Sequence, residues 1–197
     1  MSRNSSLSAS PAMLVCCDLQ DDCRPANMEG GLVVITCREL LARWRELRWP
    51  VAHLKWVGDA WRRVAKPSDW IDAFRPRPDE LTFEHTLPSA YSSPHFEEYM
   101  QGIRDTTCVL AGFSLDRTIL ATAVEGFHRG HRYYLATDAV TCAPAESARP
   151  DQYRRSVVSA VQNFAGTFRG AETWLPQPST LQRVHDRPAD RSQWRSS

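Results

Sequence analysis

Lysine is almost missing from this chain: among 24 lysines and arginines, only Lys55 and Lys66 are lysines. Few side chains are therefore offered for amine chemistry. Long apolar runs are missing too, and the opening "MSRNSSLSASPAM" has no apolar core of the secretory kind. A membrane is thus not an expected partner, and a cytoplasmic location is expected. Charge of one sign is not in excess, with a formal net charge of +1 and no concentrated basic run, so nucleic acid is not an expected partner either. Cys-x-x-Cys spacings are absent. The six cysteines (Cys16, Cys17, Cys23, Cys37, Cys108 and Cys142) lie mostly inside apolar segments, which points to reduced, buried thiols rather than a disulfide framework or zinc site.

What is present alternates between two periodicities. At 197 residues and 42% hydrophobic content the chain suffices for one well-buried domain. "MLVCCD", residues 13 to 18, is a continuous apolar run of the kind buried on both faces of a parallel sheet. Residues 32 to 48 place Val33, Cys37, Leu40, Leu41, Trp44 and Leu47 on one helical stripe, and "VAHLKW" follows as a second strand. After an irregular section over 57 to 80, "LTFEH", "TTCVLAG" and "RYYLATD" read as further strands. Helices are predicted over "SPHFEEYMQGI", 115 to 129 and 150 to 168, with "AETWL" as a terminal strand. Strands separated by crossover helices imply an α/β fold, a three-layer doubly wound and mostly parallel sheet. The expected organisation is a flexible segment over 1–11, one domain over 12–175 and a flexible tail over 176–197.

In such folds ligands bind at the carboxyl ends of the strands. That rule selects Asp18, Glu84 or His85, the turn from Gly112 to Thr118, and Asp138. Each has a structural alternative: Asp18 as a turn cap, His85 as a satisfied buried histidine, Thr118 as filler on a helical turn. Ser114 and Asp116 read as capping residues of the helix that follows.

Several of these stretches together resemble the isochorismatase-like hydrolase superfamily. "LVCCDLQDDC" is similar to its first strand, with Asp18, Gln20 and Asp22 in the motif positions. "RELRWPVAHLKW" is similar to its junction with the second strand. "RPDELTFEHTLPSAY" resembles its third-strand motif through Ser89, Ala90 and Tyr91, and "GFSLDRTILATAVEGFHRGHRYYLATDA" its nucleophile elbow through Gly112, Thr122, Gly130, Asp138 and Ala139. The resemblance runs from about Leu14 to Leu175 and implies a Rossmann-like fold, a small-molecule substrate and a homodimer or higher homo-oligomer. The family's catalytic trio is aspartate, lysine and cysteine. Asp18 matches the aspartate, whereas His85 stands at the lysine position and Thr118 at the cysteine position.

A thiol at a helix N-terminus ionises readily, whereas a threonine hydroxyl does not. Asp18, His85 and Thr118 nevertheless supply the residue types of a Ser-His-Asp-like relay. Isochorismatases proper also lack the cysteine, and work by protonating an enol ether from the aspartate. That precedent implies acid/base chemistry at Asp18 on a small cyclic or aromatic metabolite of secondary metabolism. Two alternatives stay open: an amide hydrolase using Thr118 or a relocated Cys23 or Cys142, and a non-hydrolytic binding protein or pseudoenzyme. Substrate contacts are assigned to Gln20, Cys23, Trp61, Ser89, Tyr91, Phe113, Ser114 and Arg117. No cofactor is expected. No metal is expected either, since the metal-dependent nicotinamidases of this family carry Asp-x-His where "WVGDAWRRV" has no histidine.

Overall fold

In strand β1, Met13–Cys17, every residue is buried, because the two faces of the strand feed two separate cores. Met13, Val15 and Cys17 point to one side and Leu14 and Cys16 to the other. The same alternation splits β4, Thr107–Gly112, into Cys108 and Leu110 against Val109 and Ala111. Burial on both faces is what produces an unbroken apolar run instead of an alternating one. The computed structural model describes residues 11–24, 28–58, 68–142 and 149–170. The expected flexible ends, the strand "AETWL" and Trp61 therefore lie largely or wholly outside the described residues.

The other strands are β2 (Val51–Trp56), β3 (Leu81–His85), β5 (Arg132–Val140) and β6 (Gly166–Phe168). All five neighbouring pairs are parallel, in the order β3-β2-β1-β4-β5-β6. Helix α1, Met28–Leu47, covers one face with Val33, Cys37, Leu40, Leu41 and Trp44. Helices α2 (Pro94–Gly102), α3 (Leu120–His128) and α4 (Pro150–Val161) cover the other with Phe96, Met100, Ala123, Val157 and Val161. The doubly wound α/β fold read from the sequence is thus the fold of the chain. One boundary needs correction: the helix predicted over 150–168 stops at Val161, and Gly166–Phe168 pair with Tyr134–Ala136 as β6. Among the described residues no helix is long and apolar enough to cross a membrane.

All six thiols are free and buried, as their apolar surroundings imply. The main buried charge cluster outside the strand tips joins α1 to the start of β3. Glu80 takes two hydrogen bonds from Arg45 (2.7 and 2.8 Å), one from the Arg77 N–H (2.9 Å) and one from His53 Nε2 (2.9 Å). Burial opposes ionisation of Glu80, but these donors outweigh it and hold the carboxyl down at about 2. A depressed carboxyl stabilises the fold above its ordinary value near 4.5, and that stability drains away as the pH falls toward about 2. Glu80→Gln is expected to cost about 2 kcal/mol at neutral pH, after allowance for solvent screening. Urea denaturation at pH 7 and pH 3 checks this: the difference between variant and parent should shrink at the lower pH.

Candidate active site

The strand order reverses between β1 and β4: the chain winds outward through β2 and β3, then returns to β4 on the far side of β1. A crevice at the carboxyl ends of these two strands is the expected consequence. Two close approaches hold the ends of β1 and β4 together there. Gly112 lies so near β1 that an added Cβ would stand 2.2 Å from the Cys17 carbonyl oxygen, and the Phe113 N–H donates to that same oxygen at 2.8 Å. Asp18, one past the end of β1, and Ser114, two past the end of β4, adopt left-handed backbone conformations (φ 52° and 58°) that non-glycine residues rarely occupy.

The turn after β4 is wider than an ordinary helical turn. Leu115–Ile119 form a π-helical turn before α3, with the Ile119 N–H reaching back to the Ser114 carbonyl at 3.2 Å. Such turns cluster at functional sites because they displace one residue from the regular spiral. Here they bring Thr118 against β1. Its hydroxyl donates to Asp18 Oδ2 at 2.6 Å. From the tip of β3, His85 places Nε2 2.8 Å from Asp18 Oδ1. The three residues are 1%, 2% and 3% exposed for Asp18, His85 and Thr118, so three side chains from three strand ends meet in one buried contact.

The protons in this contact can be assigned. His85 Nδ1 faces the Leu87 carbonyl at 2.9 Å, and a carbonyl can only accept, so Nδ1 carries a hydrogen. Asp18 Oδ2 is taken by the Thr118 hydroxyl. A single proton therefore remains for the Nε2–Oδ1 contact, giving either an imidazolium–carboxylate pair or its neutral counterpart. Burial disfavours the charged ring, but the hydrogen bond to Asp18, the Asp18 charge and the Leu87 carbonyl outweigh it, and His85 is raised above its usual value. His53 is the reverse case. Burial dominates over Glu80 and lowers it, and its Nδ1 has no partner among the described residues.

This geometry corrects the relay reading. In a Ser-His-Asp relay the imidazole sits between hydroxyl and carboxylate, whereas here the carboxylate sits between hydroxyl and imidazole. Several expected substrate contacts are also reassigned. Gln20 is fully buried and spends both amide hydrogens on the Trp56 and Ser68 carbonyls (3.1 and 2.8 Å), while its oxygen accepts the Trp56 N–H; it braces β1 to β2. Tyr91 packs on Phe96 and bonds His131 (2.5 Å) and Tyr133 (2.8 Å), a core position near the start of β5. Ser89 accepts the Tyr91 N–H at 3.2 Å and thus caps its own turn. Phe113 is fully buried in the α1-side core.

Neither expected cap acts as one. Ser114 makes no side-chain cap, and the Asp116 carboxylate accepts the Tyr153 hydroxyl at 3.0 Å. Cys23 is placed near Asp18 and Ser114, yet burial first, and the Asp18 charge second, push its thiol up to about 12. A thiol held there is protonated at neutral pH and a weak nucleophile. Arg117 stays exposed, with Nη2 3.4 Å from Ser114 Oγ. Sequence reasoning missed the Leu87 carbonyl, a backbone group that leaves no side-chain signal. It also missed Ser68, which exchanges hydrogen bonds with Asp22 (2.9 and 2.6 Å) across 46 residues.

Comparison with known proteins adds an outside view of this architecture. The family model described as "Isochorismatase domain" matches residues 12–172. No curated protein matches. Among solved structures, an isochorismatase from Pseudomonas putida KT2440 superposes with a TM-score of 0.72 at 19% identity, over 84% of this chain and 91% of that one. A cysteine hydrolase from Pseudomonas syringae pv. phaseolicola 1448A gives 0.69 at 14% identity, over 91% and 94%. N-carbamoylsarcosine amidase from Thermoplasma acidophilum gives 0.63 at 22% identity, over 81% and 96%. At these identities the likeness carries the fold, and one fold hosts several chemistries.

Proposed function

This chain belongs to the isochorismatase family of hydrolases, and from that premise we propose that it hydrolyses a small cyclic or aromatic metabolite by acid/base chemistry at Asp18, without a cysteine nucleophile. The observation that carries the reading is the position of the Asp18 carboxylate, buried between the Thr118 hydroxyl and the His85 ring. The pair holds one exchangeable proton. Delivered from Asp18 to an enol-ether carbon, that proton leaves a carboxylate facing an unprotonated Nε2. Water then adds to the oxocarbenium ion and returns a proton to the pair, and the resulting hemiketal collapses to a carbonyl as its hydroxyl proton passes through the pair to the leaving oxygen, so the cycle closes with one water consumed and one C–O bond broken. Thr118 holds Oδ2 in place and His85 stores the proton; neither bonds covalently to substrate.

The 2.6 Å contact of Thr118 with Asp18 favours a second reading, in which Asp18 removes the hydroxyl proton and Thr118 attacks an amide. The chemistry weighs against it. An ordinary carboxylate, near 4, is a suitable base for a thiol near 8.5 and a poor one for an alkyl hydroxyl. Thr118→Ala separates the two. Under acid/base chemistry the variant keeps turnover within about tenfold, some 1.4 kcal/mol, whereas a covalent route loses it. The measurement is steady-state turnover on panels of cyclic and aromatic enol ethers and amides. Loss of about 10³-fold or more on an amide in Thr118→Ala replaces the first reading with the second, and no turnover on either panel by the parent protein favours a binding role.

A further inference from the structure

Thr122 stands one turn beyond Thr118, fully buried on α3. A threonine inside a helix commonly spends its hydroxyl on its own backbone, as Thr36 does on the Leu32 carbonyl of α1 at 3.3 Å. Thr122 serves another element: its oxygen accepts the Ala90 N–H at 2.9 Å, from the turn that follows β3. Further rungs run along the same face of the helix. The Ser89 hydroxyl donates to Glu125, and Gly126 passes so close that an added Cβ would stand 3.1 Å from the Tyr91 hydroxyl. The Arg129 guanidinium lies 4.7 Å over the Tyr91 ring. Positions 118, 122, 125, 126 and 129 follow the spacing of a single helical stripe.

That stripe faces the segment which holds His85. Thr86, Leu87 and Pro88 are exposed, and they run between two buried anchors, His85 and Ala90. The Leu87 carbonyl, which orients the His85 ring through Nδ1 at 2.9 Å, is thus slung between the tip of β3 and a point fixed on α3. A contact from the Ser92 hydroxyl to that carbonyl, at 3.4 Å, is long and exposed and holds it only weakly. The helical segment from 115 onward therefore meets the site twice. Thr118 reaches Asp18 directly, and Thr122 reaches His85 by way of Ala90 and Leu87.

We infer that Thr122 is a positioning residue of this site: by holding Ala90 it sets the place of the Leu87 carbonyl, and through it the placement of the His85 ring against Asp18. Its importance for turnover rests on the reading of Asp18 and His85 as the reacting pair. Thr122→Val keeps the shape of the side chain and removes the acceptor. The buried Ala90 N–H then lacks a partner, so the turn shifts and the Leu87 carbonyl draws away from Nδ1. Burial works against the charged His85 ring; Asp18 and then the Leu87 carbonyl hold it up, and Arg117 opposes them. With the carbonyl displaced, the ring should give up its proton at lower pH.

The test is NMR of the full chain carrying labelled histidine, from pH 5 to pH 9, with the His85 signal assigned through His85→Gln. Thr122→Val is expected to move the His85 midpoint down toward 6.5 by about half a pH unit, a threefold change in its proton equilibrium. Thr122→Ser, which keeps the acceptor, restores the parent midpoint. His53, bonded to Glu80 beyond β2, keeps its chemical shift and so reports that each variant is folded. Thr122→Ala, a better helix former, takes the place of the valine variant if that one does not fold, with the same expectation. An unmoved His85 in the variant lacking the acceptor overturns the inference. An equal displacement in Thr122→Ser does so too, since helix packing rather than the acceptor would then be responsible. The titration needs no substrate, so a parent protein that turns over neither enol ethers nor amides sinks the acid/base reading and leaves the role of Thr122 standing.

Discussion

Asp18→Asn is expected to lower turnover by about 10³-fold or more with little loss of fold. The amide is nearly isosteric and can still accept the Thr118 hydroxyl hydrogen bond through its oxygen, so the strand ends stay joined. What it cannot do is exchange a proton, and general acid/base steps contribute about 10²–10⁴-fold. The substitution also withdraws the carboxylate that raises His85. That raised value has its own signature in stability. The contribution of the pair is complete below the ordinary histidine value of 6.5 and disappears as the pH rises through the higher folded value. In Asp18→Asn this alkaline loss should vanish together with the activity. Full activity in the variant would place the chemistry elsewhere, and an unchanged stability profile would mean that Asp18 and His85 do not share a proton. Thermal unfolding from pH 5 to pH 9, run beside turnover, reads both.

Gly112→Ala is expected to give the largest loss of stability, about 3–5 kcal/mol, or roughly 10 °C in melting temperature. Two costs add here. The residue has φ 128°, which an L side chain rarely adopts, and the new methyl would press on the Cys17 carbonyl at 2.2 Å and the Cys17 nitrogen at 2.8 Å. Backbone of a central strand cannot swing aside as a flexible side chain could. Gly130→Ala is the natural control, since Gly130 also has a positive φ (82°) but meets nothing within 4 Å. It should cost about 1 kcal/mol, the conformational part alone. Similar losses in the two variants would mean that β1 and β4 do not depend on the close approach. Differential scanning calorimetry of both makes the comparison.

The sheet was legible because burial on two faces writes itself into composition. "MLVCC", "VAHLKW" and "TTCVLAG" are strands within a residue of where the apolar runs put them. The last helix was misjudged for the opposite reason, because β6 has three half-buried residues and too short a pattern to interrupt a helical reading. Within the site, the meeting of Asp18, His85 and Thr118 followed from the rule about strand ends, and the geometry honours it. Gln20 and Tyr91 were misassigned because their partners, Trp56 and Ser68 for one and His131 and Tyr133 for the other, lie far along the chain. Motif position places a residue near a crevice, but hydrogen-bond satisfaction decides which way its side chain turns.

The left-handed backbones of Asp18 and Ser114 set a limit on how this protein can be improved. A laboratory selection for heat resistance would reward glycine at either position, since glycine occupies that region without strain. At 114 the gain would come with loss of the hydroxyl that steadies Arg117, and at 18 with loss of the carboxylate that joins His85 to Thr118 and that we propose as the reacting group. Robustness and chemistry therefore draw on the same two residues, and a hardened descendant is most safely sought at the other end of the sheet.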